Sequence, residues 1–145
     1  MGATEKKVER EVKLAAQQWH PVGVLFRTAA GGGRPAPGAP WIEFLPPGWP
    51  DYTFIIRGRV VGVETKALKG RLEKSQVRMA RTWWCAGCPV IAPRSGQEFV
   101  KGLGRVLPPG VLEPPSAEEI ALFADAHSDE WKHRPAEWLK KQGAG

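Results

Sequence analysis

The chain has 145 residues, of which 25% are charged and 42% hydrophobic, and its formal net charge is +6. This length suits one domain with a real core, and the composition is ordinary for a soluble globular protein. No apolar run approaches the roughly 18 residues of a membrane span, and the N-terminus lacks the apolar core of a signal peptide, so we expect a cytoplasmic protein without a membrane partner. The basic excess lies in residues 1–115, which is compatible with a polyanionic partner such as nucleic acid.

The first predicted element is a helix over residues 4–19. Apolar residues that include Val8, Val12 and Trp19 recur at helical spacing and form one stripe. Pro21 ends this helix because proline cannot continue the helical hydrogen-bond pattern.

A strand is predicted next, over residues 22–28. Residues 29–40 are rich in Gly, Ala and Pro and are predicted to form a long loop. A loop of this length inside a compact domain is usually functional or mobile. Residues 41–45 predict a short extra strand before the chain turns at two prolines.

Two further strands form a predicted hairpin around Gly58. Residues 52–57 and 59–64 are rich in β-branched and aromatic residues, which favours paired strands. In an antiparallel pair with a tight turn, residues at equal distance from the turn face each other. Asp51 and Glu64 are therefore expected at the same end of the hairpin.

Lys66 adds a cation to this hairpin end. Because strand side chains alternate, Glu64 and Lys66 point to one face, whereas Thr65 points away. The Asp51 and Glu64 carboxylates can hold a hard cation, Mg²⁺ or Mn²⁺, and the Thr65 carbonyl could add a ligand. Lys66 can orient or deprotonate an attacking water in phosphodiester hydrolysis. The alternative is a surface Glu–Lys pair beside a turn aspartate.

A helix over about residues 73–86 follows a basic connection that contains Lys69 and Arg71. Lys74, Arg78 and Arg81 lie at i, i+4 and i+7 and predict a basic stripe on one helix face. Such a stripe is either an ordinary solvated surface or a contact for phosphates.

The C-terminal part of the chain begins with a predicted strand over residues 89–93 and a short helix that ends at residue 103. Residues 104–115 are predicted to be a proline-rich linker. A capping box at 116–119 then opens a helix to about residue 126. Another helix is predicted within 128–141, with its tryptophans on one side, packed against the body or a second subunit.

Several motifs occur in the order found in a known nuclease family. They are Gly48-x-Pro50-Asp51, Val63-Glu64-x-Lys66, Gly70-Arg71-Leu72 and Ser75-Gln76. Together they resemble the VRR-NUC family of PD-(D/E)xK nucleases, in its stand-alone bacterial and phage form, over roughly residues 5–103. The resemblance implies a restriction-endonuclease-like α/β fold, a mixed β-sheet flanked by helices with an αβββαβ core. A nuclease domain would then span residues 1–103, and residues 104–145 would form the linker and a C-terminal helical extension.

The resemblance also assigns roles within the site. It makes Asp51 and Glu64 metal-binding acids and Lys66 the catalytic lysine, and it places Gln76 beside the active site. The family's opening helix contributes a further acid to the metal. That acid maps onto Glu9, with Glu5 and Glu11 left open.

The implied function is a Mg²⁺- or Mn²⁺-dependent DNA endonuclease that cuts branched DNA such as four-way junctions as a homodimer. The alternatives are a nuclease for flaps, nicks or foreign duplex DNA, and a non-catalytic DNA-binding or phage packaging module. The host compartment would be the cytoplasm of a bacterium or a phage-infected cell. The expected DNA-contacting residues are Arg34, Lys69, Arg71, Lys74, Arg78 and Arg81.

Overall fold

The computed structural model describes residues 2–28, 31–34 and 36–126. The chain divides into two compact units, the first ending at Glu113 and the second beginning at Pro114. The helices and strands of the first unit are α1 (Gly2–Ala16), β1 (Gly23–Arg27), β2 (Gly31–Gly33), β3 (Ile42–Leu45), β4 (Tyr52–Ile56), β5 (Arg59–Val63), α2 (Lys74–Cys85), β6 (Val90–Ile91) and α3 (Gly96–Val106), with a single 3₁₀ turn at Gln17–Trp19. The second unit contains α4 (Ala117–Ala126).

Four strands form the central sheet in the order β1-β4-β5-β6. The pairs β1–β4 and β4–β5 are antiparallel, whereas β6 runs parallel to β5. Helix α1 packs against α3 and β1, and α2 packs against β6. The predicted mixed α/β class and its αβββαβ core are confirmed, because the core elements follow one another along the chain in the order α1, β1, β4, β5, α2 and β6.

The β4–β5 turn has the backbone that a tight hairpin needs. Arg57 and Gly58 have φ angles of 43° and 79°, which matches the two left-handed positions of a two-residue turn. The register pairs Ile56 with Arg59 and Tyr52 with Val63. The hairpin is therefore regular along its whole length, up to the end where the predicted acids lie.

The hydrophobic core lies between the sheet and the helices α1 and α3. Trp19, Phe54 and Phe99 meet edge to face, with centroid distances of 5.8 Å for Trp19–Phe54 and 5.6 Å for Phe54–Phe99. On the opposite face, α2 approaches so closely that a Cβ on Gly62 would lie 3.0 Å from the Trp83 ring. Helices therefore lie on both faces of the sheet, with α2 against its β5 and β6 side.

Two predicted segments differ from the structure. The predicted 29–40 loop contains β2, which pairs with β3 in a separate two-stranded sheet. The predicted 104–115 linker begins inside α3, and the first unit extends to Glu113 rather than ending at 103. The reason is burial and hydrogen bonding: Leu107 is 9% exposed, and the Trp19 indole donates to the Leu112 carbonyl over 2.9 Å.

In the second unit, the predicted capping box is present. The Ser116 amide donates to Glu119 Oε1 over 3.0 Å, and the Glu119 amide donates to Ser116 Oγ over 3.1 Å. The further tail helix predicted within 128–141 lies outside the described residues. None of the helices in the described part of the chain is long and apolar enough to cross a membrane.

Candidate active site

Asp51 and Glu64 face each other at the open end of the hairpin. The register places Tyr52 opposite Val63, so the residues that flank this pair, Asp51 and Glu64, are also opposite. Asp51 is anchored from β1, because the Thr28 amide donates to the Asp51 carbonyl over 2.7 Å. The structure therefore brings the two acids together as the hairpin geometry predicted.

Thr65 makes a contact that strand alternation did not anticipate. It is fully buried, and its hydroxyl donates to Asp51 Oδ2 over 3.2 Å. The prediction that its side chain points away from the acids is therefore wrong, because Thr65 lies beyond the last residue of β5 and Asp51 lies in a bend before β4. This hydrogen bond orients the Asp51 carboxylate. It also gives the Thr65 hydroxyl a partner at a position that solvent does not reach.

Glu64 is held from the other side by α2. It is only 3% exposed, and its Oε1 accepts a hydrogen bond of 2.9 Å from the Gln76 side-chain amide. Gln76 is itself fixed, because its Oε1 accepts the Glu73 amide over 2.8 Å at the start of the helix. One side chain thus caps α2 and orients the buried acid.

Burial changes the acidity of Glu64. Desolvation, followed by the hydrogen bond to Asp51 and its negative charge, raises the pKa of Glu64 to about 8, against a smaller opposing effect of Lys66. Without a cation, the folded protein therefore favours the protonated form of the Glu64 carboxyl. A divalent ion bound by both acids would supply the positive charge that its ionised form lacks.

Three hydrogen bonds hold the backbone at Lys66 and at the two residues after it. The Lys66 amide donates to the Pro93 carbonyl over 3.3 Å, which continues the pairing of β5 with β6. The Arg94 guanidinium donates to the carbonyls of Ala67 and Leu68, the next two residues. Sequence reasoning gave Arg94 no role, because no local signal in the sequence connects it with a loop 26 residues earlier.

Gly48 allows the chain before Asp51 to approach α2. Its φ is +85°, and a Cβ at this position would lie 2.1 Å from the Ser75 carbonyl oxygen. The Gly48 backbone, Glu64 and Gln76 line a small cavity of about 50 Å³. The Gly-x-Pro-Asp motif therefore has a packing cause, because only glycine fits against the first turn of this helix.

The predicted third acid is not part of this cluster. Glu9 lies 3.8 Å from the Arg27 guanidinium, and Glu11 Oε1 accepts the Gly96 amide over 3.2 Å. Within residues 2–28, 31–34 and 36–126, no group of three or more His, Cys, Asp or Glu side chains is placed to hold a metal. The role of Glu9 as a ligand stays a prediction.

The Asp51 and Glu64 pair nevertheless fits a hard divalent cation. Both side chains offer carboxylate oxygens, the donors that Mg²⁺ and Mn²⁺ prefer, and Mg²⁺ commonly takes only one or two carboxylates with water and substrate phosphate as its other ligands. The Thr65 carbonyl stays a predicted further ligand. Soft thiolate or imidazole ligands do not belong to the cluster.

The predicted DNA-contacting residues are all on the surface. Three of them lie on α2, the helix whose first turn holds Gln76. Arg71 precedes this helix, and Arg34 follows β2. The exposed set comprises Arg34, Lys69, Arg71, Lys74, Arg78 and Arg81. A basic surface therefore runs along the helix that orients the buried acid.

No family model and no curated protein matches this chain. Among solved structures, it is similar to one described as a VRR_NUC domain, with 20% identity and a TM-score of 0.49, over 70% of this chain and 98% of the other. That description names the family that the sequence motifs resemble.

Proposed function

We propose that the protein is a divalent-metal-dependent endonuclease that hydrolyses phosphodiester bonds in DNA. The observation that carries this proposal is the buried Glu64 opposite Asp51, with Lys66 two residues further along a fixed backbone. A surface Glu–Lys pair would leave its glutamate in water, whereas Glu64 is 3% exposed. Burial of an acid against a second acid is unfavourable for folding and indicates a functional site.

Each residue of the cluster has a separate task in this chemistry. Asp51 and Glu64 would hold the cation, which neutralises charge on the scissile phosphate and acidifies water. Thr65 and Gln76 fix the orientation of the two carboxylates through their hydrogen bonds. Lys66 would orient the attacking water or take its proton, so the reaction needs no covalent nucleophile.

The basic surface on α2 supports DNA as the substrate. Lys74, Arg78 and Arg81 are exposed on one helix and would contact phosphates on either side of the cleaved bond. We further propose a homodimer that cuts branched DNA, because two copies would present two active sites to two strands. Exposed Phe26 and Ile55, on neighbouring strands of the sheet, offer an apolar surface for that association.

Cleavage of labelled DNA tests the proposed function. A four-way junction, a flap and a plain duplex are incubated with Mg²⁺, Mn²⁺ or EDTA and either the wild type, Lys66→Ala or Lys101→Ala. Lys101 is an exposed lysine on α3 and serves as the matched control. We expect metal-dependent cleavage that is lowered at least about 100-fold by Lys66→Ala and unchanged by Lys101→Ala.

Three results distinguish the alternatives. Binding to all three DNAs without cleavage under either metal would mean a DNA-binding module with structural acids. A monomer by light scattering at micromolar concentration would remove the dimer and leave the nuclease in place. Cleavage that survives Lys66→Ala would remove the assigned site.

A further inference from the structure

A second cavity lies between the C-terminal half of α1 and strand β1, away from the small cavity at Glu64. Its volume is about 370 Å³, within the range of small-molecule sites. Apolar residues form part of its lining, among them Ala16 and Leu25. The polar side chains in the lining include Lys13, Gln17, Arg27 and Tyr52. The nuclease chemistry described above uses none of these residues.

Tyr52, one of the lining residues, has a buried hydroxyl with an unmet hydrogen-bonding need. The residue is 2% exposed, and its hydroxyl has no hydrogen-bond partner among the described residues. A buried hydroxyl without a partner costs about 1–3 kcal/mol, so native proteins rarely retain one unless something binds it. Phenylalanine would fill the same core position without that cost.

Two cations lie against the same ring. Lys13 Nζ is 5.6 Å and Arg27 Cζ 6.0 Å from the Tyr52 ring centroid. Glu9 lies 3.8 Å from the Arg27 guanidinium and partly neutralises it, whereas Lys13 is exposed to solvent. The cavity therefore combines an apolar lining, two cationic groups and a buried hydroxyl.

We propose that this cavity binds a nucleoside monophosphate unit, with its phosphate at Lys13 and Arg27 and a polar atom of its base or sugar at the Tyr52 hydroxyl. An apolar carboxylate such as a fatty acid would satisfy the cations but leave Tyr52 without a partner. Inorganic phosphate would leave the apolar lining unfilled. A nucleotide has a phosphate, a flat apolar body and polar atoms at its far side, which is the combination that the lining requires.

The position of the cavity connects it to the active site. Tyr52 directly follows Asp51, and Arg27 is paired with Tyr52 across β1 and β4. Adjacent residues have Cα atoms about 3.8 Å apart, so the backbone that carries Asp51 continues directly into the residue that lines the cavity. A nucleotide as ligand follows from the proposed nuclease function, on which this site rests. The nucleotide is either free or the end of a DNA strand.

Binding of thymidine 5′-monophosphate in EDTA tests the cavity without any cleavage. Isothermal titration calorimetry compares the wild type with Tyr52→Phe, Lys13→Gln and the control Lys101→Gln. We expect Tyr52→Phe to weaken binding about five- to ten-fold and Lys13→Gln about three-fold, with Lys101→Gln unchanged. Deoxyribose 5-phosphate, which lacks the base, should bind at least about ten-fold more weakly than the nucleotide.

Competition then distinguishes the two sources of the nucleotide. Displacement by a 5′-phosphorylated linear oligonucleotide, but not by a circular one, assigns the cavity to a strand end; displacement by neither assigns it to the free nucleotide. Equal displacement by the circular strand overturns the inference, because a circle has no end to insert. Absence of nucleotide binding at millimolar concentration, or unchanged binding in both Tyr52→Phe and Lys13→Gln, also overturns it.

The cavity and the nuclease can fail separately. Asp51→Ala should bind the nucleotide as the wild type does, since it alters only the metal site. Metal-dependent cleavage without nucleotide binding would reject the nucleotide site and keep the proposed nuclease function. Nucleotide binding without metal-dependent cleavage would reject only the nuclease function. Circular dichroism checks that Tyr52→Phe folds, and Lys13→Gln, at an exposed position, provides the test if it does not.

Discussion

The side-chain amide of Gln76 donates to Glu64 Oε1 over 2.9 Å while its own Oε1 accepts the Glu73 amide over 2.8 Å. The first turn of α2 and the buried acid are therefore connected through one residue. A change that moves this turn should therefore also move the Glu64 carboxylate. The same residue contributes to stability and to the site, which allows the two effects to be measured separately.

Replacing Gln76 by alanine removes both hydrogen bonds. We expect the metal concentration needed for half-maximal cleavage to rise about 10- to 100-fold, because partners that orient metal ligands contribute that much to affinity. The free energy of unfolding should fall by about 1 kcal/mol from the lost cap. Mn²⁺ titration of cleavage and urea denaturation measure the two effects. Gln97→Ala, at an exposed position on α3, should change neither.

Gly48→Ala tests the close approach of the chain to α2. Gly48 and Gly58 have φ angles of +85° and +79°, but a Cβ at Gly48 would lie 2.1 Å from the Ser75 carbonyl, whereas a Cβ at Gly58 would meet nothing within 4 Å. Gly58→Ala should therefore cost only the backbone strain, about 1–2 kcal/mol, and Gly48→Ala about 3 kcal/mol or more. Urea denaturation of both variants gives the difference. Equal losses would mean that the contact with Ser75 has no energetic consequence.

The pKa of Glu64 predicts how stability depends on pH without metal. Its folded-state pKa of about 8 lies above the ordinary value of 4.5, so the folded protein holds this proton more tightly than the unfolded chain. The stabilisation is complete below about pH 4.5 and is lost as the pH rises through about 8. Between pH 5 and 8.5 the loss should be on the order of a few kcal/mol.

Glu64→Gln, an isostere of the protonated acid, is the control for this pH dependence. In EDTA, its free energy of unfolding should change less than that of the wild type over the same pH range. Mg²⁺ should stabilise the wild type more at pH 8 than at pH 6, because the ion must displace the proton. Parallel pH curves for the two proteins would show that Glu64 does not titrate differently on folding.

The basic face of α2 predicts a salt-dependent effect on DNA binding. Arg78→Gln combined with Arg81→Gln should weaken binding to every DNA tested and reduce the slope of log K against log salt by about 2, since each phosphate contact contributes about 1. Fluorescence anisotropy at several salt concentrations measures the slope. Lys101→Gln combined with Arg105→Gln removes two charges from α3 and should leave the slope unchanged.

The hairpin and its acids were predictable because their signals are local. β-branched residues on both sides of Gly58 define two strands, and the register of a tight turn then places Asp51 opposite Glu64. The resemblance added Gln76, whose contact with Glu64 the structure contains. Short-range periodicity and a motif were sufficient for these positions.

Other features depend on contacts that sequence spacing does not encode. The glycines of β2 carry no side chains to alternate, so they gave no strand signal. The proline-rich stretch after α3 looked like a linker, yet the Arg57 guanidinium donates to the Val111 carbonyl and holds that stretch on the first unit. The Thr65 contact with Asp51 arises beyond the regular strand, where alternation no longer applies. The sequence marks Tyr52 only as a strand residue, and the lack of a partner for its hydroxyl among the described residues becomes visible only in three dimensions.

Binding of Mn²⁺, followed by electron paramagnetic resonance, tests the central claim most directly, because the claim is that Asp51 and Glu64 together hold the cation that cleavage needs. We expect the wild type and Lys66→Ala to bind Mn²⁺ with similar affinity and Asp51→Asn to bind at least about ten-fold more weakly. Asp51→Asn that binds Mn²⁺ as tightly as the wild type would contradict the site.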